Sequence, residues 1–407
     1  MKIIPGGITA PIGFEAAGIE AGIKYENRKD MAIIYSEKPC VAAGTFTSNV
    51  VKAAPVQWDR KLIEESPFVQ AVIVNTGIAN AATGRDGYDC CAQTAEEASK
   101  LLSLPQEAVL IGSTGVIGPL LPMDRIRAGV ARLVREKAHC EKNGSDAAQA
   151  IMTTDTHPKE FAVSLEIGGK TVTIGAISKG SGMIHPNMCT MLSFVATDAV
   201  ISKETLTKLV KADVKDTYNM ISVDGDTSTN DTFVVMANGM AENPEILPGT
   251  PEYAAFAQAL HAVNEHQAKA LAGDGEGSTA LVECTVRNAD TKENARLLAR
   301  AVISSSLTKA AIFGHDANWG RILCALGYSG ASFDPENMEL FFEDGGTKML
   351  IYQDGHGTDY SEEEASLLLS KPEVRIVADM KMGSEQATAW GCDLTYDYVR
   401  INGDYRS

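Results

Sequence analysis

The chain has 407 residues, 44% of them hydrophobic and 22% charged, with a formal net charge of −17. That length implies two or three folding units, or one large two-lobed body, able to bury about three quarters of its surface without metal or disulfide staples. No run of Lys and Arg exceeds two residues, so the basic stripe that phosphate backbones demand is missing and nucleic acid is not an expected partner.

The eight cysteines, Cys40, Cys90, Cys91, Cys140, Cys189, Cys284, Cys324 and Cys392, are scattered without a C-x-x-C pair. This suits reduced thiols better than a zinc site or a disulfide framework. Residues 1–7 carry no apolar signal core, and no stretch approaches the roughly 18 apolar residues of a membrane span. A cytoplasmic protein without membrane contact is expected.

In chain order, short β-branched runs bounded by turn residues predict strands at Met31–Tyr35, Cys40–Phe46 and Val69–Val74. Thr94 with Glu97 reads as a capping box opening a helix Thr94–Leu102. A strand Ala108–Gly112, a helix Asp124–Lys137 and a strand Thr171–Ile177 follow. After them come a helix Lys203–Met220 and a strand Thr232–Met236. Thr250 followed by Pro251 starts a helix towards Leu271, proline being harmless at a first helical position. A strand Ala280–Val286, a helix Lys292–Ser304, a strand Glu339–Glu343, a helix opened by Ser361 and Glu364, and a strand Glu373–Asp379 complete the reading. Strands and helices do not alternate strictly, so an α/β or α+β layered body with large mixed sheets is expected rather than a Rossmann fold or a TIM barrel.

The most informative stretch runs from Lys179-Gly180-Ser181-Gly182-Met183-Ile184-His185-Pro186 through Asn187-Met188-Cys189 to Thr190-Met191-Leu192. A glycine-rich loop leads straight into an apolar run that begins with a hydroxyl residue. By the local pattern alone, an ordinary strand threonine is the commoner explanation. The alternative is chemical. The Thr190 hydroxyl can attack the Cys189 carbonyl in an N-to-O acyl shift, and hydrolysis of that ester frees an α-amine. The reference pKa of such an amine, about 7.7–8.0, suits a general base for the same residue's hydroxyl.

This segment resembles the cleavage motif of the glutamate N-acetyltransferase / ornithine acetyltransferase (ArgJ) family, with His185 at its variable position and Cys189 where alanine is usual. Further ordered segments carry the resemblance along the whole chain. They include Pro5–Pro11, Gly44–Asn49, Asn75–Ala81 (with Ile78 a departure), Ser113–Gly118, Thr153–Thr156, Asp224–Asp231, Gly314–Arg321 and Asn402–Ser407.

The resemblance implies a layered α/β sandwich similar to the N-terminal-nucleophile hydrolases but with its own connectivity. It implies self-cleavage between Cys189 and Thr190 into chains 1–189 and 190–407, assembled as a heterotetramer of two copies of each. It places an oxyanion hole at Thr114 and Gly115, and substrate contacts at Thr153, Lys179, Thr190, Glu276, Asn402 and Ser407. The implied reaction is ping-pong acetyl transfer from N2-acetylornithine to glutamate through an acetyl-Thr190 ester, with no metal or bound cofactor. Some members also take acetyl-CoA as donor, and the residues do not distinguish the two kinds. An aminopeptidase or amidase on the same scaffold is the rival, although the related aminopeptidases use serine as nucleophile.

The residues bear on these roles independently. A threonine hydroxyl beside a glycine N–H is a donor pair for a developing oxyanion, or else an ordinary turn. Gly273–Gly277 lacks the Lys-Ser/Thr ending of a phosphate loop, and Glu276 there suits an ammonium such as that of ornithine. Asp224–Asp231 resembles a calcium loop, but its twelfth position is Val235, so a structural polar loop is expected. His315, Asp316 and Asn318 could suggest catalysis too, but the segment is read as a structural turn near the site.

Overall fold

The computed structural model describes residues 1–185 and 191–404. The expected nucleophile and cleavage positions, Thr190 and Cys189, and the expected substrate-contact position Ser407 lie outside the described residues. The rest forms two compact units, one from residues 1–180, 191–215 and 227–267, the other from 181–185, 216–226 and 268–404. These units are not the two chains that cleavage would leave, because each takes residues from both sides of position 190.

In chain order the strands of the described residues are β1 (Lys2–Ile4), β2 (Phe14–Ile19), β3 (Met31–Phe46), β4 (Val69–Asn75), β5 (Val109–Ser113), β6 (Lys159–Ile167), β7 (Lys170–Lys179) and β8 (Leu192–Thr197). There follow β9 (Ile221–Ser222), β10 (Thr232–Ala237), β11 (Leu281–Ala289), β12 (Glu339–Asp344), β13 (Thr347–Gln353), β14 (His356–Gly357), β15 (Glu373–Asp379) and β16 (Glu385–Cys392).

The first unit holds a sheet in the order β1-β6-β7-β8-β10-β3-β4-β5, with β2 added against β3. The neighbours β4 and β5, and likewise β8 and β10, run parallel, while β3 pairs antiparallel with both β4 and β10. Every residue of β4, β5, β8 and β10 is buried. Their near-continuous apolar sequences are those of strands covered on both faces. Helices Ala54–Glu65 and Gly84–Leu102 pack on β5, and helix Glu141–Ala150 packs on β2. The core unites Phe14, Ile33, Ile73, Leu110 and Phe194.

The second unit holds the sheet β14-β13-β12-β15-β11-β16-β9, on which helix Lys292–Ser304 lies across β11 and β16. The helix expected from Ser361 starts there, the Ser361 hydroxyl accepting from Glu364 N, and helix Lys292–Ser304 is capped by the Thr291 hydroxyl, which accepts from Asn294 N.

Three expectations are corrected. Thr94 caps nothing: the helix begins at Gly84, and the Thr94 hydroxyl, now mid-helix, donates back to the Cys90 carbonyl at 2.8 Å. Met31–Tyr35 and Cys40–Phe46 are one strand, whose first half pairs with β2 and β4 and whose second half pairs with β10. The polar residues between them mark only a register shift against β4. The helix from Lys203 ends at Asp213; turn residues 214–217 follow, and the Thr217 backbone (φ −123°, ψ −96°) leaves the helical region before a short turn Tyr218–Met220. Among the described residues no helix is long and apolar enough to cross a membrane.

Candidate active site

In the first unit, the parallel strands β4 and β5 end side by side at Asn75 and Ser113, and their following loops are knitted together. Thr114 N donates to Asn75 O (3.1 Å), Val116 N to Gly77 O (3.1 Å) and Ala79 N to Val116 O (2.9 Å). Asn230 Nδ2 donates both to Ala79 O (2.6 Å) and to Ser113 O (2.8 Å), fixing the pair from β10's side. Gly115 sits at φ +131°, and a Cβ on it would lie 2.3 Å from the Gly77 carbonyl carbon. Only glycine fits there.

Lys179, the last residue of β7, brings its ammonium to 3.3 Å from the Thr114 hydroxyl oxygen, and both residues are buried. An ammonium only donates. Thr114 therefore accepts in this bond, which leaves its own O–H as a donor to something else. A hydroxyl donor next to a glycine backbone is the arrangement an oxyanion requires.

Asp155 organises the surroundings of Lys179. Its carboxylate accepts from Lys159 Nζ (2.7 Å), from Gly180 N (2.7 Å) and from Thr153 N (3.0 Å). Burial pushes this carboxyl up, but the ammonium groups of Lys159 and Lys179, with the hydrogen bonds, overcome it and hold the group well below the usual carboxylate range. Thr153 is fixed from its other side by Arg28, whose guanidinium donates to the Thr153 carbonyl at 2.5 Å. Of the expected site residues, Thr114, Gly115, Thr153 and Lys179 thus share one connected cluster. Asp155 and Lys159 belong to it as well. Asp155 stood within a family-like motif without a role of its own, and Lys159 gave no signal because its partner is local to the fold.

In the second unit the turn after helix Pro251–Gly273 carries Glu276. Its backbone N–H donates to Ser181 O (2.9 Å), and the Ser181 hydroxyl donates to Asp274 O (2.6 Å). The Glu276 carboxylate is buried against Gly182, where an added Cβ would come within 2.4 Å of it. Asn402, on helix Tyr396–Gly403, donates from Nδ2 to Glu276 Oε2 at 2.7 Å. Tyr398, from the same helix and unremarked in the sequence, is pushed up first by burial, then by the Asp224 and Glu276 carboxylates. The segment Gly314–Arg321 is the structural turn expected: Asn318 caps helix Trp319–Gly327 by accepting from Arg321 N at 3.2 Å.

The ArgJ family model matches residues 15–407. The chain also aligns end to end with the arginine biosynthesis bifunctional protein ArgJ of Symbiobacterium thermophilum, at 51% identity over 100% of both. The chain belongs to the ArgJ family. The counterpart in Thermotoga neapolitana is 49% identical over 98% of this chain and 99% of its own. A crystal structure of the Bacillus halodurans ArgJ protein is 44% identical with a TM-score of 0.50, over 52% of this chain and 97% of that one. The family expected from the sequence is the family found, and the mixed α/β architecture is the one expected of this ArgJ chain.

Proposed function

We propose that this ArgJ-family chain is a glutamate N-acetyltransferase of arginine biosynthesis, moving the acetyl group of N2-acetylornithine to L-glutamate through an ester on Thr190. The observation that carries the reading is the buried Lys179–Thr114 bond beside Gly115. It leaves the Thr114 proton to be donated to a group other than Lys179, next to a backbone that admits no side chain.

The chemistry runs in two halves. The free α-amine of Thr190 takes the proton of its own hydroxyl as Oγ attacks the acetyl carbonyl. The tetrahedral oxyanion is met by the Thr114 hydroxyl and the Gly115 N–H. The proton then passes to the nitrogen of the departing ornithine as the amide C–N bond breaks. Glutamate's amine attacks the acetyl ester in the second half, and N-acetylglutamate leaves as the Thr190 hydroxyl regains its proton. Lys179 suits a substrate carboxylate and Glu276 the side-chain ammonium of ornithine, with Thr153, Asn402 and Ser407 as further substrate contacts. No metal or bound cofactor enters these steps. Acetyl-CoA serves as a second donor, a reading supported by the word bifunctional in the relatives' names.

The free amine requires cleavage at Cys189–Thr190, giving chains 1–189 and 190–407 that assemble as a cytoplasmic heterotetramer, two of each. Support comes from the Bacillus halodurans structure. Its solved chain is covered for 97% by only 52% of this one, whereas full-length relatives align end to end. A chain about half the full length is what such a cut leaves. The test combines intact mass with Thr190→Ala. The wild type should appear as two pieces, and the variant as one folded chain that makes no N-acetylglutamate. Acetyl transfer by Thr190→Ala would remove the ester from the mechanism. Product formation from N2-acetylornithine in the absence of glutamate, at the rate seen with it, would favour an amidase instead.

A further inference from the structure

Five hydrogen bonds within the second unit hold three residues, Met183, Ile184 and His185, against 222–224 and Arg300. The Asp224 carboxylate accepts from Met183 N (2.5 Å) and Ile184 N (2.9 Å), and Val223 N donates to Ile184 O (2.6 Å). His185 Nδ1 lies 2.9 Å from Ser222 Oγ, and Arg300 Nη2 lies 3.1 Å from His185 Nε2. Met183 takes a left-handed backbone (φ +57°), which is strained for a non-glycine residue and persists only where its surroundings enforce it.

These partners fix the tautomer of the imidazole. A guanidinium only donates, so Nε2 accepts and the ring proton sits on Nδ1, donated to Ser222. Burial, then the Arg300 charge, push His185 down to about 4, with Asp226 opposing. The ring is therefore neutral at physiological pH. Both its nitrogens are engaged, so it has no vacant position from which to shuttle a proton. What it does have is a fixed place, four residues before the Cys189–Thr190 bond. A peg that close bounds how far the scissile carbonyl can stray, since a chain reaches at most about 3.6 Å per residue. An intramolecular attack gains from such restriction, because orientation is supplied before the reaction begins.

We infer that His185, pinned by Ser222 and Arg300, is a positioning residue for self-cleavage, anchoring the chain four residues before the scissile bond so that the N-to-O acyl shift is favoured. The inference rests on the proposal that the chain is cut at that bond. In the shift, Thr190 Oγ forms a bond to the Cys189 carbonyl carbon, the amide C–N bond breaks, and the hydroxyl proton ends on the new α-amine. Water then hydrolyses the ester. His185 takes no part in the proton's path.

The experiment follows the fraction cut against time in cell-free synthesis of the full chain, by intact mass, for wild type, His185→Leu, His185→Gln and Ser222→Ala. Leucine fills the space but offers neither donor nor acceptor, and should slow cleavage by about ten- to a hundredfold. Glutamine retains one of each and should restore a rate close to wild type, a rescue that general destabilisation would not give. Ser222→Ala, which leaves the imidazole in place, should slow cleavage by a smaller factor and covers the case of a His185→Leu chain that does not fold. Cleavage at the wild-type rate in both His185→Leu and Ser222→Ala overturns the positioning role alone. A glutamine variant that folds yet cuts as slowly as leucine also overturns it. An uncut wild type overturns the underlying cleavage reading, and this inference with it.

Discussion

Lys179 Nζ and Thr114 Oγ1, 65 positions apart in sequence, are hydrogen-bonded at 3.3 Å inside the first unit. The bond joins the end of β7 to the loop after β5. It makes the Thr114 oxygen the acceptor and leaves the hydroxyl proton to be donated elsewhere, because the ammonium has no acceptor to offer.

Thr114→Ala should consequently lower kcat for acetyl transfer by about a hundred- to a thousandfold, the range for loss of one oxyanion donor. Thr114→Ser keeps the hydroxyl and should retain most activity. Steady-state kinetics on cleaved enzyme decides between them. An alanine variant with native kcat would leave Thr114 as a lysine anchor and nothing more.

Much of this was legible in the sequence, and the failures share a cause. Lys292–Ser304 and Glu373–Asp379 were bounded correctly, the helix by its apolar spacing of three and four and the strand by turn residues next to an apolar run. Thr94 misled because a capping signature is local, while its outcome depends on whether the preceding residues already form a helix; here Gly84–Gln93 do. The site residues were recognisable only through the motifs that hold them. Nothing within Thr153–Thr156 shows that Asp155 meets a lysine four residues on and a second at the end of β7. Such groupings arise from sheet topology, in which β6 and β7 are paired antiparallel so that position 159 faces 178.

Asp59 supplies a stability test independent of chemistry. It lies fully buried in helix Ala54–Glu65. Its Oδ1 accepts from Ile111 N at 2.8 Å, and its Oδ2 has no hydrogen-bond partner among the described residues. Burial pushes this carboxyl well above its ordinary value, the Ile111 bond opposing only in part. The folded state thus holds the proton more tightly than the unfolded chain, whose carboxyl titrates near about 3.9. The associated stability is fully present below that value and is lost as pH rises towards the folded-state value, at about 1.4 kcal/mol per pH unit. Asp59→Asn keeps the acceptor for Ile111 and cannot ionise. Its melting temperature relative to wild type should therefore climb as pH rises above about 4. A difference that stays constant from about pH 4 upwards would mean that Asp59 ionises in the fold without cost.

Glu276 and Asn402 offer the sharpest separation of substrate recognition from folding. The carboxylate is buried, accepts from Asn402 Nδ2 at 2.7 Å, and lies where Gly182 leaves no side chain to crowd it. A buried anion held by a neutral amide still favours a cation. Glu276→Gln preserves an oxygen for Asn402 and nearly the same volume, so its melting temperature should change little. It removes the charge that an ornithine ammonium would meet, and hydrogen bonds to charged groups contribute about 1.5–3 kcal/mol. The expected loss in kcat/KM for N2-acetylornithine is therefore about ten- to a hundredfold. The same variant should lose almost nothing on an N-acetyl amino acid of equal length that lacks the terminal amine, because that substrate never used the charge. Parallel losses on both substrates would assign Glu276 to the shape of the turn, and no loss on either would remove it from the site.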